Sequence, residues 1–188
     1  MVLKNWLLLG IIAFSTFMFG GIAALCVTGK AASRTAAYDE RGDILYRKGR
    51  YAEAASCWQK SLTAESPNAE IINKIGMAYL AGNRAAEARR FYEKNCRLYP
   101  NALNLRYNLA LAYFKEEKLE KSEEEISGIS MVNPDFPRLH YLRGLIYEKK
   151  GDLAGAESEY IKEINLDPGD LGAWYKIKTS GAKRQNTP

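Results

Sequence analysis

The chain has 188 residues, of which 47% are hydrophobic, 26% charged and 11% aromatic, with a net charge of +5. That is enough apolar material for one packed domain and too much for a disordered chain. The basic residues are interspersed with glutamates, which excludes a continuous basic stripe, so no nucleic acid partner is expected. The cysteines, Cys26, Cys57 and Cys96, lack the two-residue spacing of a metal pair. They are expected to pack as small apolar side chains.

In chain order, residues 1–5 make a short basic head carrying Lys4, and no charged residue follows from Asn5 to Gly29. Trp6 to Val27 reads WLLLGIIAFSTFMFGGIAALCV. As a helix this run reaches about 33 Å at about 1.5 Å per residue, enough to cross a hydrocarbon core of about 30 Å. It is also longer than the apolar stretch of a cleaved secretory signal, about 7 to 15 residues. Leu25 stands before Cys26 where a lipoprotein signal has a small residue. Residues 6–28 are therefore expected to be an uncleaved transmembrane signal-anchor, followed by a polar linker over 29–34. Lys30 and Arg34 behind the span favour a cytoplasmic carboxyl side, but long domains translocate largely regardless of charge. A short basic head before a long remainder resembles a bacterial signal-anchor, and the adopted reading is a single-pass membrane protein with an extracytoplasmic, periplasmic domain.

From residue 35 to 170 one spacing of 34 residues recurs without insertion. Tyr79, Tyr113 and Tyr147 follow it, as do Pro100, Pro134 and Pro168, and the small residues Gly42, Gly76, Ala110 and Gly144. So do Ala54, Ala88, Ser122 and Ala156, each followed four residues on by a bulky one: Trp58, Tyr92, Ile126 and Tyr160. Each period reads as two amphipathic helices. Turns are expected at Lys48-Gly49-Arg50, Ala81-Gly82-Asn83, Glu116-Glu117-Lys118 and Lys150-Gly151-Asp152. The prolines end the second helices, with the first one late, at Pro67. Leu171, Trp174 and Ile177 are spaced as the inner face of one more, capping, helix over 171–180, before a polar tail over 181–188.

These slots resemble the tetratricopeptide repeat: aromatic, two residues, Leu-Gly, two residues, Tyr, then Ala, three residues, aromatic, and Pro. The second period gives Ile72, Ile75-Gly76, Tyr79, Ala88, Tyr92 and Pro100; the fourth gives His140, Arg143-Gly144, Tyr147, Ala156, Tyr160 and Pro168. The resemblance implies an all-α fold: an α-solenoid of four helix pairs over 35–68, 69–102, 103–136 and 137–170, a capping helix, and the transmembrane helix before them. A single pair cannot bury its apolar face, so such pairs are stable only by stacking. Arg41, Arg106, His140 and Arg143 stand in slots that are often apolar, and their faces are expected to be exposed or loosely packed. His140 is expected to be a structural replacement for an aromatic.

No phosphate-binding loop, nucleophile with a base partner or metal-spaced cluster is present in the sequence, so neither catalysis nor a cofactor is expected. In the run Glu116 to Glu125, Glu117, Lys121 and Glu125 are four apart and are expected to pair along a solvated helix. What remains is recognition. The resemblance implies that the first helices line a concave groove through Asp39, Asp43, Tyr46 and Arg47; Asn73 and Met77 with Leu80; Asn104, Tyr107, Leu111, Phe114 and Lys115; and Arg138, Tyr141, Leu145 and Lys149 with Glu148, then Tyr175. The positions of the family's Lys and Asn carboxylate clamp hold Asp39 and Asp43, so a co-chaperone of that kind is not expected. The expected function is a membrane-anchored adaptor holding a protein or peptide partner in assembly of a bacterial envelope complex. The alternative is a structural subunit acting through self-association or its convex, Glu-rich face. The register is testable at its centre: Tyr113→Ala is expected to cost about 3–5 kcal/mol, and a melting temperature left unchanged refutes it.

Overall fold

The computed structural model describes residues 35–62 and 68–185. The head, the apolar run 6–28 with Cys26, the linker 29–34, Pro67 and residues 186–188 lie outside the described residues. Among the described residues every regular element is a helix, and none is long and apolar enough to cross a membrane. The chain divides into two compact units, Met1–Pro67 and Asn68–Pro188.

In the first unit, α1 covers residues 35–47 and α2 runs Tyr51–Ser61. Trp58, 2% exposed, fills the space over Gly42, where an added Cβ would fall 2.3 Å from its indole nitrogen. That nitrogen donates to the Asp39 carbonyl at 3.2 Å. The second unit holds three helix pairs, α3 (Ala69–Ala81) with α4 (Ala85–Leu98), α5 (Leu103–Lys115) with α6 (Leu119–Val132), and α7 (Leu139–Lys149) with α8 (Leu153–Leu166). A last helix, α9, runs Leu171–Gln185.

The contact seen at Gly42 recurs 34 and 102 residues on. A Cβ at Gly76 would lie 2.2 Å from the Tyr92 ring, and one at Gly144 would lie 2.4 Å from the Tyr160 ring. Both tyrosines are fully buried, and each hydroxyl is satisfied: Tyr92 donates to the Asn73 carbonyl at 3.1 Å and Tyr160 to Glu148 at 3.0 Å. Polar tips at the edge of an aromatic contact keep burial free of unpaired groups. In the α5–α6 pair the small slot is Ala110, and the facing bulky residue is the smaller Ile126. Ser122 replaces the usual alanine there and donates to the Ala110 carbonyl at 2.8 Å.

Each first helix ends in the same way. Residues Gly49, Asn83, Glu117 and Gly151 all have positive φ, at 74°, 58°, 59° and 84°. The next amide in each case reaches back five residues: Arg50 to Leu45, Arg84 to Tyr79, Lys118 to Tyr113 and Asp152 to Tyr147. This is the Schellman closure, in which a left-handed residue just past the helix lets two amides bond back onto its last turn. In the second turn the left-handed residue is Asn83 rather than the glycine beside it, since Gly82 has φ −78°. The third turn is made by a glutamate.

Two expectations are corrected. The capping helix is five residues longer than expected and takes in part of the presumed tail, because Ala, Lys, Arg and Gln at 182–185 favour helix and Gly181 alone costs only about 1 kcal/mol. Its inner face is Ala173, which is fully buried, with Ile177, packed against Ala156, Tyr160 and Ile164. Leu171 (81% exposed) and Trp174 (51%) face outward; the small Ala173 lets α9 lie close to α8 and turns the large side chains away. The ion pairs expected along α6 are also different. Glu117 sits in the turn, off the helix, and pairs with Lys149 at 3.1 Å; Glu125 pairs with Arg106 at 3.2 Å; Lys121 lies over the Tyr113 ring. Pairing therefore runs between helices.

Gly76→Ala is expected to lower stability by about 1–3 kcal/mol, since the methyl group displaces a ring that has nowhere to go. Glu117→Gly is expected to raise it by about 1 kcal/mol by relieving a left-handed glutamate. Both are read by thermal denaturation followed by circular dichroism.

Candidate functional site

Within the second unit α3 packs on α5 and α5 on α7, so the first helices lie side by side. Two rows of large side chains follow the repeat across them. Tyr107, Tyr141 and Tyr175 occupy one position, where α3 has Asn73; Met77, Leu111 and Leu145 occupy another, four residues on. Contacts made at these positions link neighbouring helices. Asn108 donates to the Asn73 side chain at 2.7 Å, the Tyr107 hydroxyl donates to the Arg138 carbonyl at 3.4 Å, and the Tyr141 ring lies over Gly172 of α9.

The residues singled out from the sequence differ in how free they are. Asn104, Lys115, Arg138 and Lys149 are exposed, as are Met77 and Tyr175. Leu111, Phe114 and Leu145 are half-buried and rest on the core formed by Ala110, Ile126, Leu139, Leu142 and Ile146. Tyr107 is half-buried against Phe136, with ring centroids 5.6 Å apart. Burial pushes its phenol up to about 12, against the opposing charge of Arg138. Leu80 is buried and cannot line a groove, which corrects its expected place. Glu148 is held by the Tyr160 hydroxyl and by Lys176 at 2.7 Å.

The start of α7 is built by two carboxylates that the sequence pattern did not single out. Glu163 of α8, 2% exposed, accepts from the Arg138 amide through one oxygen and the Tyr141 amide through the other, both at 3.0 Å. Amides at a helix start have no partner within the helix, and this carboxylate supplies one while complementing the helix dipole. One turn earlier Glu159, 5% exposed, meets His140 at 2.7 Å, Lys162 at 2.7 Å and Arg143 at 3.6 Å. His140 and Arg143 are thus largely buried and paired, not exposed or loosely packed as expected. A buried carboxylate draws cations in because an unpaired charge there is costly. Arg41 is exposed, as expected.

Arg106 and Glu125 repeat the His140–Glu159 pair one period earlier, where the second period has the apolar Ile72 and Phe91. That complementarity, a basic residue facing a glutamate at two positions each 34 apart, is the signal by which the buried pair could have been found. Around Arg106 the packing is open: Glu93, Cys96, Arg106, Tyr113, Lys121 and Glu125 are among the residues bordering a cleft of about 540 Å³ between α4, α5 and α6. Burial pushes the Cys96 thiol up to about 11, so it stays a neutral packing group. Cys57 is buried. Among the described residues no three His, Cys, Asp or Glu side chains converge as metal ligands.

Burial raises the Glu159 carboxyl, but hydrogen bonds from Lys162 and His140 and the charges of Lys162 and Arg143 outweigh it and hold the group below its ordinary 4.5. A carboxylate with a depressed folded value stabilises fully above that ordinary value and loses its contribution as pH falls through the folded one. Glu159→Gln is therefore expected to cost about 1–3 kcal/mol near neutrality. In melting curves taken at falling pH, the gap between variant and parent is expected to close only in the acid range.

A family model described as tetratricopeptide repeat matches residues 40–102 and 107–170. The human protein O-mannosyl-transferase TMTC3 is 27% identical over 118 residues, covering 55% of this chain and 13% of its own. The UDP-N-acetylglucosamine–peptide N-acetylglucosaminyltransferase of Giardia intestinalis is 26% identical over 140 residues, 73% of this chain and 10% of its own. The chain thus spans a small fraction of the length of the curated relatives it matches. Among solved structures, MamA of Desulfovibrio magneticus RS-1 from residue 41 onward superimposes with a TM-score of 0.66 at 18% identity, covering 81% of this chain and 86% of that one. YrrB, described as a TPR protein with an unusual peptide-binding site, gives 0.63 at 20% identity, covering 78% and 76%. At these identities the likeness is one of fold.

Proposed function

Because the chain belongs to the tetratricopeptide repeat family, we propose that it is a non-enzymatic adaptor that holds a protein or peptide partner on the surface of its first helices. The observation that carries this reading is the pair of aligned rows, Tyr107, Tyr141 and Tyr175 beside Met77, Leu111 and Leu145, on helices that pack side by side. Tyr107, Tyr141, Leu111 and Leu145 are already half-buried, so they can anchor a peptide with little further loss of side-chain freedom. The description of YrrB as having a peptide-binding site is in keeping with it. Glycosyltransferase names among the relatives attach to proteins of which this chain covers 13% or less in the two cases above, and no catalytic role is proposed from them.

The adaptor is further proposed to be tethered by residues 6–28 as a single-pass span, with its repeats on the extracytoplasmic side of a bacterial envelope and its partner in a complex assembled there. The support is the uncharged, 22-residue apolar run Trp6 to Val27. A topology reporter fused after Pro188 tests the orientation; activity restricted to a cytoplasmic reporter reverses it.

A second reading, self-association as a structural subunit, has one observation in its favour. Leu98, Val132 and Leu166 end successive second helices and are 63%, 69% and 47% exposed, with Met131 beside them at 83%. The acidic face is a poorer candidate, because Glu116, Glu117, Glu123 and Glu125 are paired with Arg89, Lys149, Lys150 and Arg106. A photo-crosslinking amino acid placed in turn at Met77, Tyr175 and Met131 separates the two. The adaptor reading expects adducts with a different protein from positions 77 and 175, and fails if adducts form only at 131 and only with a second copy of the chain.

A further inference from the structure

The geometry points to a subsite for an acidic side chain at the start of α7, formed by Arg138 stacked on Tyr141; this rests on the peptide-holding reading above and names what the peptide carries. The first observation is backbone strain. Arg138 has φ 62°, the left-handed conformation that asparagine and glycine adopt more readily than arginine. It is held there from three directions, by the two oxygens of Glu163 on the Arg138 and Tyr141 amides and by the Tyr107 hydroxyl on the Arg138 carbonyl. Unlike Asn83 and Glu117, which close helices, this left-handed residue starts one, and a long cation held at such a position is a starting point for a functional reading.

The second observation is how the guanidinium is presented. Its central carbon lies 4.8 Å from the Tyr141 ring centroid, and the side chain is 57% exposed. Stacking on an aromatic face leaves the donors along the guanidinium edge available for a carboxylate lying in its plane. Among the described residues the one carboxylate at ion-pair distance from it, Asp170, is 3.7 Å away and has its other oxygen on the Ala173 amide at 3.0 Å. Asp170 faces the Nε, beyond hydrogen-bond reach, and the two terminal Nη groups remain for a carboxylate.

The third observation is the sign of the surrounding surface. One repeat position reads Glu70, Asn104 and Arg138 in successive first helices, and another reads Ala81, Lys115 and Lys149. Charge becomes more positive from α3 to α7. Of the groove residues expected from the sequence on α7 the one carboxylate, Glu148, is already engaged by Tyr160 and Lys176. A partner peptide therefore lies with an Asp or Glu at the α7 end, beside apolar residues that meet the Tyr and Leu rows, and this charge asymmetry fixes its direction.

The test uses the full chain in a nonionic detergent and two short fluorescein-labelled peptides, one of alternating Leu and Glu and one with Gln for each Glu, followed by fluorescence anisotropy. At low salt the acidic peptide is expected to bind about tenfold tighter, with the gap narrowing as salt screens it. Arg138→Asn, which keeps a residue suited to the left-handed backbone, is expected to bring the acidic peptide down to the affinity of the neutral one and leave the neutral one unchanged. Arg138→Lys is expected to restore part of the gap. Met77→Gln, away from the cation, is expected to weaken both peptides alike. If Arg138→Asn, with an unchanged melting temperature, preserves the preference, the subsite is wrong and the groove stands. If Met77→Gln alters neither affinity, the groove reading fails; if neither peptide binds the parent chain, both fail.

Discussion

The second helix of a pair can lie against the first only because the first offers no side chain where the aromatic ring must go. At Gly42, Gly76 and Gly144 a single added carbon would stand 2.2–2.4 Å from a ring or indole atom, well inside contact distance. The third pair shows the rule by departing from it: with Ala110 in the small slot, the facing residue is Ile126 in place of Trp or Tyr. Volume is conserved across the contact, as close-packed interiors require. The same rule bears on α9. Lys178 stands in the small slot of that helix, so α9 cannot receive a second helix that brings an aromatic to that place.

Elements whose cause is local were legible in the chain. The helix pairs, their small and bulky slots and the prolines two residues past α4, α6 and α8 all follow from a period of 34 and from what proline does to a helix. The turns were located but not their chemistry. A Schellman closure is placed by counting from the last helical turn, which selects Asn83 over Gly82 and puts a glutamate at 117. Conflict at that glutamate is tolerated because both back-bonds of the closure, from Glu117 to Phe114 and from Lys118 to Tyr113, form around it.

What escaped the sequence was polarity inside a helix interface. A glutamate in an amphipathic segment reads as surface, and nothing local marks Glu159 or Glu163 as 5% and 2% exposed. Their hydrogen-bond partners on the other helix, His140, Tyr141 and Arg138, lie 19 to 25 residues away, across a turn. The same holds for the groove. Helical spacing puts Leu80 on the face of Met77, but packing buries it. Conversely, Tyr107, Phe114 and Tyr141 are part scaffold and part surface, a division that only the neighbouring helices decide. Polar pairs, Arg106–Glu125 and His140–Glu159, stand where the α3–α4 pair has Ile72 and Phe91. Such pairs are weak contributors to net stability but strict about geometry, and they leave room at Arg106 for the cleft above Cys96.

Glu163 gives this end of the molecule a particular kind of cooperativity. The first amides of α7 are satisfied by a side chain that belongs to α8, so α7 cannot begin properly until α8 has docked, and α8 cannot leave without exposing them. Local opening here involves both helices together. Amide protons of Arg138 and Tyr141 are then expected to exchange with solvent on the same timescale as those deep in α8, although they sit at the start of a helix, which ordinarily frays first. A ligand resting on Arg138 would slow all of them at once, so occupancy of the surface is written into the exchange rates of a helix that never touches it.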